Sequence, residues 1–364
     1  MSGLLAVCAA AVLIVTVPAG GCEKAGALAR GRHWQLTALR APEAWKHSRG
    51  ESALVAVLDT GVDARHPDLL GAVIGGPDLT GVPGPKGRHG TAMASLIAGR
   101  GHGGRHGVVG VAPAARVLSV RVTLESDDPR RTRPRTGGRD ALAKGIRYAA
   151  DQGADVISMS LGAGSWKGSA AEAAAVRYAI GKGAVLVASV GNDGDDVETR
   201  HFPAAYPGVI AVGAVDRRLN VPRFSSRQDY LSVVAPGTGI VGADGPEAYV
   251  IGDGTSSAAA IVAGVAALIR SAHPGLPPSQ VRAAIESGTR HRPADGHSRA
   301  YGHGVVDAAL ALREAARLAR PAPAAAGPRR SGLRLTVVLG LIGLVVVMSM
   351  RVLVKRRRPY QALV

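Results

Sequence analysis

Between residues 53 and 316 the chain alternates short, nearly unbroken apolar runs with longer stretches whose apolar positions recur every three or four residues. Runs of the first kind are 53–58 (ALVAVL), 116–122, 155–161, 184–190 and 209–215. They are too short for helices and rich in valine, so they predict strands buried on both faces. Helical spacing runs through 90–98, 140–152, 170–182, 258–271 and 278–287. Strand and helix in turn is the pattern of an α/β fold, a mostly parallel central sheet covered by helices on both faces. Residues 53–316 hold no internal repeat or linker and are expected to form one domain.

The two ends follow a different pattern. Residues 4–17 are apolar over the length of a signal-peptide core, and small residues follow at Val17, Pro18 and Ala19. Residues 1–19 are therefore read as a signal peptide, although no Lys or Arg precedes the apolar run, and 20–52 as an N-terminal extension. Ala19-Gly20-Gly21 before Cys22 also resembles a lipoprotein processing site, without its usual large aliphatic residue. Residues 335–354 are nearly all aliphatic and close to the ~20 residues that a bilayer core requires. Lys355-Arg356-Arg357-Arg358 comes directly after, so 335–354 is expected to cross a cell membrane once. The basic tail 355–364 then lies in the cytoplasm, and the folded domain outside. The Ala-, Pro- and Arg-rich segment 317–334 reads as a tether.

Composition and charge narrow the function. With 46% hydrophobic residues in 364, the chain can bury one large core. The formal charge of +17 suggests nucleic acid or membrane until it is located. Eight of the 44 Lys and Arg lie after residue 328, where there is no acid, and the remaining +9 is spread through loops. No basic helix or aromatic-interleaved patch is present, so a nucleic-acid partner is not expected. Both cysteines fall within the first 22 residues, so the domain has no internal disulfide to offer.

Four polar residues stand in special settings. Gly254-Thr255-Ser256 opens the apolar helical run, and a serine at a helix start faces unpaired N–H groups and a partial positive charge. That environment favours the oxyanion formed when a serine attacks a carbonyl. The competing reading is that Thr255 or Ser256 only caps the helix, with the glycine supplying a sharp turn. Asp59 ends the strand 53–58, His89 opens a helix, and Asn192 closes the strand 184–190 in Gly191-Asn192-Asp193-Gly194. Sites in parallel sheets gather at the carboxyl ends of strands, so these residues can converge. The chemistry assigns Ser256 as nucleophile, His89 as proton-transfer base and Asp59 as its orienting carboxylate. Asn192 and the Ser256 backbone N–H are assigned to the oxyanion.

Several short stretches occur together and in a fixed order. They are Val57-Leu58-Asp59-Thr60-Gly61, His66-Pro67-Asp68-Leu69, His89-Gly90-Thr91, 107–113 (GVVGVAP), Ser158-Met159-Ser160-Leu161-Gly162, Gly191-Asn192, Ala235-Pro236-Gly237, Gly254-Thr255-Ser256 and Tyr301-Gly302-His303-Gly304. In these the chain resembles the subtilisin-type serine proteases, whose catalytic order is Asp, His, Ser. The head from His33 to Trp45, the tether and the tail helix resemble more narrowly the mycosins, membrane-anchored proteases associated with type VII secretion in actinobacteria. The resemblance implies an extracytoplasmic endopeptidase that uses no cofactor and takes a protein or peptide substrate. A type VII secretion membrane complex is implied as a partner. It also implies that Ser160, Leu161 and Gly162 pair with the substrate backbone and wall its pocket, while Gly137-Gly138 would supply the opposite strand. The alternative is a structural component of such a complex with minor or no proteolysis.

The chain departs from the family pattern at three places. Ala260 stands where proline is usual. Asp68 matches a calcium ligand of many subtilisins, but 100–106 offers no carboxylate or amide to complete that site, so no metal is expected. Only about 35 residues separate the signal from Asp59, too few for the usual pro-domain, which suggests a short extension wrapping the domain instead. The remaining motifs are read as structural. Gly99, Gly101 and Gly104 follow a helix, not a strand, which argues against a dinucleotide site. His102 and His106 are spaced for a metal, but in a Gly-rich loop. His303 belongs to a turn, and 125–138 is a polar surface loop near the cleft.

Overall fold

The computed structural model describes residues 26, 31, 33–84, 87–103, 106–131, 140–161, 168–194, 199–320 and 332–355, with side chains of the last segment described over 339–353. The signal peptide, Cys22, Gly137, Gly138, Gly162, most of the tether and the tail beyond Lys355 lie outside the described residues. Two compact units are present, one ending at Ala319 and one beginning at Arg320.

The first unit opens with short helices α1 (Trp34–Ala38) and α2 (Ala41–Ala44) and then alternates: β1 (Leu54–Asp59), β2 (Val73–Asp78), α3 (Arg88–Ala98), β3 (Arg100–His102), β4 (His106–Val109), β5 (Arg116–Arg121), α4 (Ala141–Asp151), β6 (Val156–Met159), α5 (Ala170–Gly181), β7 (Val185–Ser189) and β8 (Ile210–Val215). It closes with β9 (Val233–Pro236), β10 (Ile240–Asp244), β11 (Ala248–Gly252), α6 (Thr255–Ala272), α7 (Pro278–Ser287), β12 (Thr289–Arg290), β13 (Val305–Val306) and α8 (Ala308–Ala319). Among the described residues nine strands form one sheet in the order β12-β13-β9-β8-β7-β6-β1-β5-β2, parallel except where β12 meets β13. From β1 the chain pairs first with β5 on one side and later with β6 on the other. The carboxyl end of β1, where Asp59 stands, is thus the topological switch point at which such sheets bind ligands.

Alternation along the strands explains the unbroken apolar runs. Val55 and Val57 of β1, Val185 and Val187 of β7, and Ile210 and Val212 of β8 point into one core, with α3 and α6. Ala56, Leu58, Leu186 and Ala211 point into the other, with α4 and α5. Both faces are covered, so no position on these strands has to be polar. Helix α6 runs across β6 to β9 in the first core, and almost every residue from Ala258 to Ile269 is fully buried. Its small side chains permit close approach: a Cβ at Gly264 would stand only 2.7 Å from the Val111 Cβ. The N-terminal segment belongs to this core too. Leu39, Ala41 and Ala44 are fully buried, and the Trp45 indole donates to the Val111 carbonyl at 2.8 Å.

Several sequence expectations change here. The strand expected over 155–161 ends at Met159, so Ser160 and Leu161 leave the sheet before they reach the cleft. The nucleophile helix begins at Thr255, three residues earlier than its apolar run. Strands β2, β9 to β13 and helix α8 were not expected. The loop around His102 and His106 is a two-stranded antiparallel hairpin, β3 with β4.

In the second unit, α9 (Gly332–Lys355) is a 24-residue helix. Its large apolar side chains between Leu339 and Leu353 are all more than half exposed.

Candidate active site

Asp59 is the last residue of β1 and is buried, 1% exposed. Its backbone carbonyl accepts from Val122 N–H at 2.9 Å, and its Oδ1 accepts from Thr60 N–H at 2.7 Å, which fixes the carboxylate rigidly. The same Oδ1 lies 2.8 Å from the His89 Nδ1. With Asp59 ionised, Nδ1 carries the proton, and Nε2 keeps a lone pair for a hydroxyl proton. Asp59 Oδ2 is buried without a hydrogen-bond partner among the described residues.

His89 is the second residue of α3. Gly90 N–H donates to the Thr60 hydroxyl at 3.0 Å, and a Cβ at Gly90 would stand 2.3 Å from the Gly61 carbonyl. The helix start is thereby seated on the loop that follows Asp59, with Gly61 itself at φ +97°. Burial opposes a charge on the imidazole, but the Asp59 carboxylate, through its charge and hydrogen bond, and then Glu125 outweigh it. The His89 pKa is therefore raised, with Arg131 pulling the other way. The imidazole is 37% exposed, which lightens the burial penalty.

Ser256 is the second residue of α6, and α3 and α6 pack against each other on the same face of the sheet. Two helix N-termini, each with its partial positive charge, thus lie on the same face of the sheet. The cap residue is Gly254, so neither Thr255 nor Ser256 caps this helix. The chain bends at Gly254 as expected, but with a φ of 161°, ordinary extended backbone, so the bend does not need a left-handed glycine. What the glycine leaves clear is the space beside the Asn192 amide: a Cβ would lie 3.5 Å from Asn192 Nδ2.

Asn192 does the capping from 63 residues away. Its Oδ1 accepts from Thr255 N–H and from the Thr255 hydroxyl, both at 2.9 Å. With the oxygen held and the side chain exposed, the NH2 group is left for an incoming group. Gly191, at φ +111°, provides the bend before it. The Ser256 hydroxyl donates to the Ser160 carbonyl at 3.3 Å, and the Ser160 hydroxyl donates to the Ser256 carbonyl at 2.9 Å. The first of these is long for an O–H···O bond and gives up little when the hydroxyl turns. The structure therefore joins Asp59 to His89, Asn192 to Thr255, and Ser256 to Ser160. No hydrogen bond joins His89 to Ser256 in this state, and such contacts often tighten only with substrate bound.

Sequence reasoning missed Thr60, Thr255 and Glu125. Thr60 and Thr255 adjoin the assigned residues in the motifs, which was the available signal; Glu125 lies 36 positions from His89 and gave none. Asp68, read as a calcium ligand without partners, is fully buried and receives His102 Nδ1 and Val108 N–H, each at 2.7 Å. A histidine proton and a backbone amide satisfy it. His303 bonds the Gly296 carbonyl at 2.9 Å, tying its turn to the preceding segment.

Comparison with known proteins agrees with this architecture. The sequence profile of the subtilase family matches residues 50–304. Thermitase from Thermoactinomyces vulgaris is 40% identical over 272 residues, covering 72% of this chain and 92% of thermitase. The crystal structure of MycP1 from Mycobacterium smegmatis superposes with a TM-score of 0.68 at 29% identity, covering 84% of this chain and 88% of MycP1. MycP3 protease from the type VII (ESX-3) secretion system gives a TM-score of 0.67 at 31% identity, covering 83% of this chain and 91% of that one.

Proposed function

This chain belongs to the subtilase family of serine proteases, and from that premise we propose that it is a membrane-anchored endopeptidase working outside the cytoplasm through Asp59, His89 and Ser256, in association with a type VII secretion machine. The observation that carries the reading is the 2.8 Å contact between the buried Asp59 carboxylate and His89 Nδ1, at the start of a helix packed beside the one that bears Ser256. In the reaction, Ser256 Oγ attacks the scissile carbonyl carbon while His89 Nε2 takes its proton. Asp59 stabilises the imidazolium. The oxyanion is held by the Ser256 N–H at the helix start and by Asn192 Nδ2. His89 then passes the proton to the leaving amine, and water releases the acyl group by the same steps reversed.

Ser160, Leu161 and Gly162 are assigned to the substrate. Departure of the chain from β6 after Met159 supports this for the first two, since both lie beyond the strand pairing of the sheet, beside Ser256. Anchoring is supported by α9, whose exposed aliphatic surface suits lipid. The secretion role is supported by likeness to MycP1 and MycP3. The proposed organisation is a signal peptide over 1–19, an extension over 20–52, a peptidase domain over 53–316, a tether over 317–334, a membrane helix over 335–354 and a cytoplasmic tail over 355–364.

The test is covalent labelling of the purified protein with a fluorophosphonate, with and without Ser256→Ala. Labelling of the parent chain alone is expected. Labelling that persists in Ser256→Ala would refute the nucleophile, and an unlabelled but folded parent chain would favour a structural role in the secretion machine.

A further inference from the structure

We propose that Glu125 is a positioning residue for His89, holding the first turn of α3 and setting how readily the imidazole accepts a proton. The proposal rests on the assignment of His89 as the proton-transfer base. The first N–H groups of a helix have no partner within it, and the cap of α3 is Gly87, which has no side chain to offer one. Two segments supply what is missing. Gly90 N–H donates to the Thr60 hydroxyl at 3.0 Å, and His89 N–H donates to Glu125 Oε1 at 3.1 Å. Glycine at position 87 lets both reach: a Cβ there would stand 1.9 Å from Thr60 Oγ1 and 2.5 Å from Glu125 Oε1. Thr60 registers the helix to Asp59 from one side, and Glu125 registers it to the segment after β5 from the other.

The surrounding charges make Glu125 more than a cap. With Thr60 and Gly87 it lines a cavity of about 220 Å³ shared with Arg88, Arg121, Asp128 and Arg130. The arginines have acids of their own. Arg88 lies 3.6 Å from Asp127 and 3.8 Å from Asp244, Arg121 pairs with Asp78, and Arg130 sits 2.7 Å from Asp128. Around His89, burial works against the imidazolium, Asp59 and then Glu125 favour it, and Arg131 opposes it. Glu125 is therefore a second carboxylate, after Asp59, that stabilises the charge appearing on His89 during the reaction. It acts through a backbone amide and through space, without touching the imidazole nitrogens.

Glu125→Gln keeps an acceptor of the same length and removes only the charge, whereas Glu125→Ala removes both. The full-length chain and both variants are compared by the pH dependence of kcat/KM and of fluorophosphonate inactivation, which report the free-enzyme histidine. In Glu125→Gln the acid limb should move to lower pH by roughly half a unit to one unit, with the plateau rate lowered no more than about threefold by the weaker base. In Glu125→Ala the plateau kcat should fall about tenfold with KM little changed, and Gln should restore most of it. An unmoved acid limb in Glu125→Gln, or a Glu125→Ala plateau equal to that of the parent, overturns the proposal. If the parent chain takes no label at Ser256, the protease reading fails on its own. The His89 titration is then followed by NMR of its imidazole protons in the three proteins, so the Glu125 proposal is still decided. Equal thermal midpoints for the parent and Glu125→Gln establish that the comparison is between folded proteins.

Discussion

The proposed mechanism gives Asn192 a duty besides capping α6, and a pair of substitutions tells the two apart. Its Oδ1 is the acceptor for Thr255 N–H and the Thr255 hydroxyl, both at 2.9 Å, and Thr255 is fully buried. Its NH2 group is the donor assigned to the oxyanion. Asn192→Leu removes both. The Thr255 hydroxyl still has the Gly191 carbonyl at 3.2 Å, so one buried donor, the Thr255 N–H, is left without a partner. That costs about 1–3 kcal/mol, or a fall of several degrees in thermal midpoint at roughly 2–4 °C per kcal/mol for a domain of this size. Asn192→Asp has the same shape and keeps the acceptor for Thr255, but it replaces the donor with a negative charge. Stability should change little, while the oxyanion loses a partner and gains a repulsion. Both variants should lower kcat by about 10²–10³ with KM little altered, the loss seen when one oxyanion-hole donor is removed from subtilisin, a relative. The assay is peptide hydrolysis over a full substrate range beside calorimetric unfolding. Parental kcat in Asn192→Asp, or a loss confined to KM, would show that Asn192 only caps α6.

Two further outcomes follow from other parts of the molecule. A calcium chelator should leave hydrolysis and thermal midpoint nearly unchanged, because the Asp68 carboxylate is already satisfied by His102 and Val108; a drop of many degrees would expose a cation site elsewhere. Helix α9, 24 residues rising ~1.5 Å each, reaches about 36 Å and can cross a bilayer. Protease added to intact, wall-stripped cells should therefore release an active soluble domain while a tag after Val364 stays protected; digestion of the tag in intact cells would overturn the anchored topology.

The central sheet strands and their helices were legible because each depends on a local period. The strands β5, β6, β7 and β8 lie within apolar runs and β1 passes the end of its run by one residue, Asp59, while Asn192 follows just after the run that holds β7. Motif order then nominated Asp59, His89 and Ser256, of which the structure joins the first two by a hydrogen bond. Strand β2 was not legible, since Val73–Asp78 carries Gly-Gly-Pro, which a strand tolerates at the sheet edge it occupies. Strands of two residues such as β12 and β13 have no period to detect. Partner choice across long separations was equally hidden. Nothing in the neighbourhood of Glu125 says that it receives the His89 amide, nor does anything near Asn192 say that it caps a helix 63 residues on, because those contacts exist only once the sheet has brought the loops together. Apolarity itself was ambiguous in the same way. Thr255–Ala272 has a mean hydropathy of 1.4, enough to cross a membrane, yet 78% of its residues are buried inside the protein, where it packs on β6 to β9. Composition marks α6 and α9 alike as strongly apolar; for α6, tertiary packing decided that it is buried inside the protein, because there the strands' valines and isoleucines supply an apolar surface to meet it.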